Sequence, residues 1–169
     1  MIYLEGKKLG EKISLKLSQS FDIKKNFELD GVKYDFTGLF LEETSKYILN
    51  KELVYESFST KELIFYKTLY NKEKLKEKNE LKEYITKNIE YFKGDKKNQM
   101  SSVVTFIFCG DTLTYKDEKL IKNFTYHKSF LFGLKGWLNT KIIYMDLENK
   151  KIITNSFGKK DIVFFKTFL

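Results

Sequence analysis

The chain has 169 residues, of which 42% are hydrophobic, with 16 Phe and 11 Tyr among them. This length and composition fit one domain with a substantial core and exclude a chain that is disordered throughout. The formal net charge is +8, but all 31 basic residues are lysine and 23 acidic residues are interspersed with them, so sequence-specific nucleic-acid binding through arginine is excluded.

The first segment, LGEKISLKLSQSF, has two interpretations. Leu9, Ile13, Leu17 and Phe21 lie at helical spacing, whereas Ile13, Leu15 and Leu17 alternate as they would in a strand. We favour the helix.

An antiparallel meander is predicted over residues of about 26–69. The Asp30-Gly31 pair separates two stretches of alternating hydrophobic residues, and this is the strongest short-range signal for a β-hairpin. Two further strand-like stretches follow, KYILNKELVYESF and TKELIFYKTLY, with polar breaks between them. We therefore expect four strands in this region.

One long amphipathic helix is predicted over residues of about 72–93. The opposite face from its apolar stripe mixes Lys and Glu, and Gly94 is placed to end the helix. The apolar stripe consists of Leu75, Leu81, Tyr84, Ile85, Ile89 and Phe92. The next segment, VVTFIFCG, is typical of a strand that is buried on both faces. A short helix should follow, with Thr114 as N-cap and Asp117 at the capping-box position.

The C-terminal part, residues of about 101–169, is predicted to be rich in strands. The stretch YHKSFLFGLKGWLNTKIIY indicates two strands that are joined or bent around Gly133 to Gly136. A hairpin, IIYMDLENKKIIT, follows, and the last segment, KKDIVFFKTFL, fits either a helix or a strand. The whole chain is therefore predicted to be a single α+β domain with a mainly antiparallel β-sheet, one long amphipathic helix and one or two shorter helices.

The composition also indicates where the protein works. The longest apolar run is far shorter than the roughly 20 residues of a membrane-spanning helix, and the start, MIYLEGKKLGEK, has no apolar region of a secretory signal. The single cysteine, Cys109, cannot form an internal disulfide. We therefore expect a cytoplasmic protein with no membrane partner. The lack of Arg, Ala and Pro is typical of an AT-rich bacterium or its phage.

Cys109 lies at the end of the predicted buried strand, a position that can carry catalytic groups, which suggests thiol catalysis as one hypothesis. A thiol needs a nearby base to become a thiolate, and His127 follows eighteen residues later. However, a lone cysteine in an apolar strand usually packs as a small hydrophobic residue, and no cysteine-enzyme signature surrounds this one. One histidine and one cysteine also cannot form a zinc site of the usual type within one chain.

Asp146, Glu148 and Lys150 form a D-x-E-x-K pattern close to that of metal-dependent nucleases. With this many Glu and Lys residues, roughly three E-x-K matches are expected by chance, and the chain contains three. The ENKK segment also suits an exposed hairpin turn. Phosphate-binding loops, G-x-S-x-G and H-E-x-x-H do not occur in the sequence. We therefore predict no metal and no cofactor.

The stretch from Tyr126 to Tyr144 is the first place to look for a site. Tyr126, Phe130, Phe132 and Trp137, with lysines between them, could stack single-stranded bases; alternatively, most of these side chains fill the core. Glycines at a strand bend also leave the backbone open to a ligand. The candidate binding residues are His127, Lys128, Lys135, Trp137, Asp111 and Asp146.

No combination of residues has the specificity of an enzyme motif. We therefore hypothesise a non-enzymatic binding or interaction protein, with homodimerisation through an exposed sheet edge as a candidate assembly. The alternatives are an enzyme that uses carboxylates and His127, and a nucleic-acid binder based on lysine and aromatic stacking. The sequence itself identifies no ligand or partner.

Overall fold

The structure, a computed structural model, describes residues 1–47, 55–70, 75, 78–93, 99–133 and 135–169. In these residues, five α-helices accompany one sheet of seven strands, which confirms the predicted α+β class. The helices are α1 (Ile2–Leu17), α2 (Lys78–Lys87), α3 (Ile89–Lys93), α4 (Tyr115–Lys122) and α5 (Ile162–Lys166). The strands are β1 (Asp22–Leu29), β2 (Val32–Tyr47), β3 (Tyr55–Thr68), β4 (Gln99–Gly110), β5 (His127–Ser129), β6 (Trp137–Asp146) and β7 (Lys151–Thr154).

The strands follow the order β1-β2-β3-β4-β6-β5, and β7 also pairs with β6. Strands β3, β4 and β6 run parallel at the centre of the sheet. The other four described pairs are antiparallel, so the sheet is mainly antiparallel, as predicted. The parallel centre is possible because long segments containing helices join β3 to β4 and β4 to β6, and a parallel crossover needs a dozen residues or more.

Helices cover both faces of the sheet. One hydrophobic cluster packs the sheet against α2, α3 and α4, and a second packs it against α1 and α5. Strand β4 contributes Val104 and Phe106 to the first cluster, and Ile107 and Cys109 to the second. This confirms the prediction of a strand that is buried on both faces.

Helix α1 confirms the favoured interpretation of the first segment, and two glycines set its distance from the sheet. A Cβ atom on Gly6 would lie 2.5 Å from Thr68 Cγ2, and one on Gly10 would lie 2.6 Å from Tyr66 Cε1. The Tyr66 hydroxyl donates a hydrogen bond of 2.8 Å to the Gly6 carbonyl oxygen. The N-terminal half of α1 therefore packs directly on the end of β3.

The predicted long helix over residues of about 72–93 is interrupted. In the described residues it forms α2 and α3, which are separated at Asn88; residues 71–74 and 76–77 lie outside the described part. The Asn88 side chain donates to the Tyr84 carbonyl oxygen at 2.9 Å and to Asp30 Oδ2 at 3.4 Å. Such a side-chain bond competes with the backbone ladder. The longest described helix is therefore α1, with 16 residues.

Four strands were predicted for the meander, and its described residues form three, β1 to β3. The hairpin between β1 and β2 is confirmed, because Asp30 and Gly31 have φ values of 50° and 76°. The stretch KYILNKELVYESF spans the end of β2, the start of β3 and residues 48–54, and those seven residues lie outside the described part. The stretch TKELIFYKTLY contributes most of its residues to β3.

The predicted elements of the C-terminal part are also present. Thr114 is the N-cap of α4, and its Oγ1 accepts a hydrogen bond of 3.2 Å from the backbone N–H of Asp117. Strands β6 and β7 form the expected hairpin. The last segment, for which helix and strand were both open, is helical.

Candidate functional site

The structure divides the six candidate binding residues between the two ends of β6. His127 pairs with Asn139 near the start of that strand, whereas Asp146 ends it beside Gly110. Asn139 and Asp146 are seven positions apart along the strand, which corresponds to roughly 23 Å. His127, Lys128, Lys135 and Trp137 therefore lie at one end, Asp111 and Asp146 at the other, and they do not form one pocket.

The first end carries a tight loop between β5 and β6, which we call the tip loop (residues 130–136). Its base is closed by a 2.9 Å hydrogen bond from the Phe130 backbone N–H to the Gly136 carbonyl oxygen. Leu131, Phe132 and Gly133 follow each other in the left-handed region, with φ values of 45°, 54° and 88°. This conformation costs Leu and Phe about 1 kcal/mol each. The loop is therefore held in a strained shape.

The tip loop presents hydrophobic side chains to solvent. Phe132 is 102% exposed and Leu131 is 57% exposed, and Trp137 at the base of the loop is 39% exposed. Tyr126 and Phe130 are instead partly buried against the core. The predicted aromatic surface is thus reduced to Phe132 and Trp137, and the alternative of a core role holds for Tyr126 and Phe130 only.

Two exposed lysines accompany this loop: Lys128 precedes it and Lys135 lies within it. Lys93 Nζ, which forms an ion pair with Glu90, lies 5.2 Å from the centre of the Phe130 ring. The 27 residues from Lys119 to Met145 contain five lysines and no acidic residue. The overall acid content of the chain, 23 in 169, would place about four acids there. Of these lysines, Lys122 and Lys141 pair with Glu118 and Asp161, so the tip loop combines its exposed apolar groups with Lys128 and Lys135.

His127 links the two strands that carry the tip loop, β5 and β6, by a side-chain hydrogen bond. Its Nδ1 lies 2.6 Å from Asn139 Oδ1, and its Nε2 lies 3.3 Å from Ser129 Oγ. Because the amide oxygen only accepts, Nδ1 carries the proton in this arrangement. Neither partner is acidic, so the arrangement is not a serine triad.

Cys109 cannot act together with His127. The two residues lie beside Met145 and Asn139 of β6, which are six positions and roughly 20 Å apart. Burial raises the pKa of the Cys109 thiol to about 12, although a hydrogen bond with Tyr66 acts in the opposite direction. A neutral buried thiol is a poor nucleophile, so the structure contradicts the hypothesis of a Cys-His pair.

The D-x-E-x-K residues organise a turn at the other end of β6. Asp146 is buried, and its Oδ1 accepts from the Asn149 backbone N–H at 3.0 Å. Glu148 Oε2 accepts from the Thr112 hydroxyl at 2.6 Å, and Lys150 forms an ion pair with Glu5 at 3.3 Å. Within the described ranges, no group of three or more His, Cys, Asp and Glu side chains is arranged to hold a metal ion.

Sequence reasoning missed two pockets near the carboxyl ends of the parallel strands. One has a volume of about 470 Å³ and lies between the β1–β2 hairpin and the end of β3; the other has about 400 Å³ and includes Asp111 in its lining. Tyr3 and Tyr70 line both pockets. The ends of parallel strands are a common place for ligands, but the parallel centre of this sheet was not evident from the sequence.

None of the helices in the described residues has both the length and the apolar composition of a membrane-spanning segment.

Residues 5–167 match the model of a family described as a domain of unknown function (DUF8052), and the chain belongs to this family. No curated protein matches the chain, and no solved structure matches it.

Proposed function

We propose that this chain is a non-enzymatic interaction domain that docks on anionic lipid surfaces through the tip loop. The observation that carries the proposal is Phe132, a fully exposed aromatic residue in a left-handed conformation. Exposure of a Phe ring to water is unfavourable, and an ordinary surface turn would have Gly or Asn at such a φ value. Strain of this kind is typical of functional segments.

Charge supports a lipid surface as the partner. The acid-free stretch places Lys128 and Lys135 beside the apolar tip, and the cytoplasmic leaflet of a membrane is negatively charged. Trp137 lies at the base of the loop, and indole rings prefer the boundary between headgroups and hydrocarbon. The arrangement therefore suits insertion of Leu131 and Phe132 with the lysines near the headgroups. Under this proposal the protein would act on the cytoplasmic face of a membrane, which agrees with the compartment expected from the sequence.

A single-stranded nucleic acid fits this loop less well. Stacking platforms use several accessible rings, whereas Tyr126 and Phe130 are partly buried here. Leu131, at the tip, offers no ring for stacking. The absence of arginine also removes the residue that makes bidentate phosphate contacts.

The expected interaction is weak and reversible. Partial insertion of Leu131 and Phe132 contributes about 2–3 kcal/mol, and each lysine near the surface contributes about 1 kcal/mol. With two lysines the total is about 4–5 kcal/mol, which corresponds to a dissociation constant of about 0.2–1 mM for accessible lipid. This is comparable to the affinity of a single acyl anchor, which acts together with a second signal. The proposal departs from the expectation of no membrane partner, because that expectation considered membrane-spanning segments.

The residues that suggested catalysis have structural roles that support a non-enzymatic protein. Cys109 is neutral and buried, His127 joins β5 to β6, and Asp146 accepts hydrogen bonds within a turn.

Homodimerisation stays a separate prediction. The outer strand β1 exposes Lys24 and Lys25, which hinder edge-to-edge pairing.

Vesicle sedimentation tests the proposal. The protein should sediment with vesicles of phosphatidylglycerol and phosphatidylcholine, and much less with phosphatidylcholine alone. Phe132→Asn should reduce the bound fraction at least fivefold, whereas Tyr115→Asn, at another exposed aromatic residue, should not. The double variant Lys128→Gln/Lys135→Gln should bind less than Lys12→Gln/Lys16→Gln, which alters two exposed lysines of α1.

Equal sedimentation of all variants would contradict the proposal. So would a protein that ignores vesicles but shows salt-dependent quenching of Trp137 by a single-stranded oligonucleotide. That result would favour the nucleic-acid alternative.

A further inference from the structure

The pocket near β3 begins where two strands separate. The β2–β3 ladder ends at the pair Phe36–Tyr66, whereas the β3–β4 ladder continues to Thr68–Cys109. The start of β2 therefore diverges from the end of β3. The resulting opening is the pocket of about 470 Å³, which lies in the volume range of sites for small molecules.

A break in side-chain alternation shapes this opening. Tyr34 and Phe36 are two residues apart and would share a face in a regular strand, but they belong to the two clusters on opposite faces of the sheet. In β1, the residue opposite Asp35 is Asn26, which has a left-handed conformation with φ 51° and lines the pocket. The irregularity in both strands turns Asp35 toward the end of β3.

Asp35 closes the inner end of the pocket. Its Oδ2 accepts hydrogen bonds from the Thr68 backbone N–H at 2.9 Å and from the Thr68 hydroxyl at 2.7 Å. Its Oδ1 forms an ion pair with Lys7. Burial opposes the charge of Lys7, but Asp35 and Tyr3 outweigh this effect, so the pKa of Lys7 is raised and its ammonium group stays charged. Both carboxylate oxygens are thus occupied within the protein.

The remaining lining combines rings with lysine. Tyr3 and Tyr70 pack edge to face at 5.0 Å between ring centres and form one wall, and Phe27 and Tyr34 contribute rings from the hairpin. Apart from the Lys7–Asp35 pair, the charged lining residues are Lys33, Lys67 and Glu28. Glu28 lies opposite Lys33 in the β1–β2 ladder, and the lining carries one net positive charge.

We infer that this pocket is a binding site for a small organic anion that carries a flat ring, with the ring against Tyr70 and Phe27 and the anionic group near Lys33 and Lys67. The position at the carboxyl ends of parallel strands is one that ligands favour. The site is distinct from the tip loop, which lies at the opposite end of the sheet, and does not depend on lipid docking.

Two dyes test this inference. Anilinonaphthalene sulfonate carries flat rings and an anion, and phenylnaphthylamine carries the same rings without the anion. The sulfonate should bind saturably at one site of the native protein, with a fluorescence increase, and more tightly than the neutral dye. The double variant Lys33→Gln/Lys67→Gln should weaken sulfonate binding about tenfold, since two solvent-accessible charge contacts are lost, and should leave the neutral dye unchanged.

Matched variants separate this site from the rest of the protein. Lys159→Gln/Lys160→Gln removes two exposed lysines outside the pocket lining and should retain binding. Phe132→Asn should also retain it, so that failure of lipid docking and failure of this inference are distinguishable. Loss of dye binding in Phe132→Asn would assign the dye to the tip loop and overturn the inference. Equal binding by both lysine double variants would overturn it as well.

Discussion

The Asp35 carboxylate replaces a strand partner for Thr68, because its Oδ2 accepts both the backbone N–H at 2.9 Å and the hydroxyl at 2.7 Å. Thr68 is buried with 4% exposure, so its N–H has no easy access to water. Together with the Lys7 ion pair, this contact joins α1, β2 and β3 at one corner of the sheet.

Asp35→Ala should therefore destabilise the protein. An unsatisfied buried N–H costs about 1–3 kcal/mol, and for a protein of this size each kcal/mol lowers Tm by about 2–4 °C. Thermal unfolding followed by circular dichroism measures this change. Asp22→Ala is the matched control, since Asp22 is exposed at the start of β1 and should change stability by less than about 0.5 kcal/mol. Equal melting of the two variants would contradict the bridging role of Asp35.

Phe132→Asn should stabilise the protein while it removes the docking side chain. Phe132 has φ 54° and is fully exposed, so the variant loses no packing, and Asn tolerates the left-handed region. We expect a gain of about 0.5–1 kcal/mol in the free energy of unfolding by urea. Tyr115→Asn, at an exposed residue of ordinary helical conformation, should bring no such gain. A clear loss of stability in Phe132→Asn would show that the strain assigned to this residue is absent.

The Cys109 thiol should be unreactive in the folded protein. Burial raises its pKa to about 12, whereas in the unfolded chain it ionises near pH 9. Iodoacetamide at pH 8.5 should therefore modify Cys109 only after denaturation. Rapid, stoichiometric labelling of the native protein would show that the thiol is accessible and ionised.

The same shift has a consequence for stability at alkaline pH. Between about pH 9 and 12 the unfolded chain releases a proton that the folded chain keeps, so the free energy of unfolding falls as the pH rises through this range. Below pH 9 the thiol is neutral in both states and contributes no pH dependence. In Cys109→Ala the fall should be smaller than in the wild type, when both are unfolded in urea at pH 8 and pH 10. An identical fall in both proteins would contradict this assignment.

Local signals predicted the elements that depend on short-range rules. The helical spacing of Leu9 and Ile13 identified α1, because both side chains are buried against the sheet. Asp30-Gly31 identified the first hairpin because a tight turn needs positive φ at both positions. The hydrophobic run around Phe106 identified the buried strand β4, because a strand that is covered on both faces has apolar residues in succession.

The features that shape the two proposed sites depend on long-range packing. The alternation break at Asp35 coincides with its contacts with Thr68 and Lys7, which are 33 and 28 residues away in sequence. Spacing in the sequence could not show that Asp111 and Asp146 lie at the other end of β6 from His127. That arrangement depends on the pairing of β6 with both β4 and β5. The pattern around Phe132 suggested a strand residue, whereas the loop closure at Phe130 and Gly136 turns its ring into solvent.

Quenching of the single tryptophan by brominated phospholipids tests the docking claim most directly. Trp137 lies at the base of the tip loop, so it should approach the acyl chains only when Leu131 and Phe132 insert. The account predicts that vesicles of phosphatidylglycerol and chain-brominated phosphatidylcholine quench Trp137 in the wild type and in Tyr115→Asn, and leave Phe132→Asn unquenched. Equal quenching of all three proteins, or none in the wild type at millimolar lipid, would contradict it.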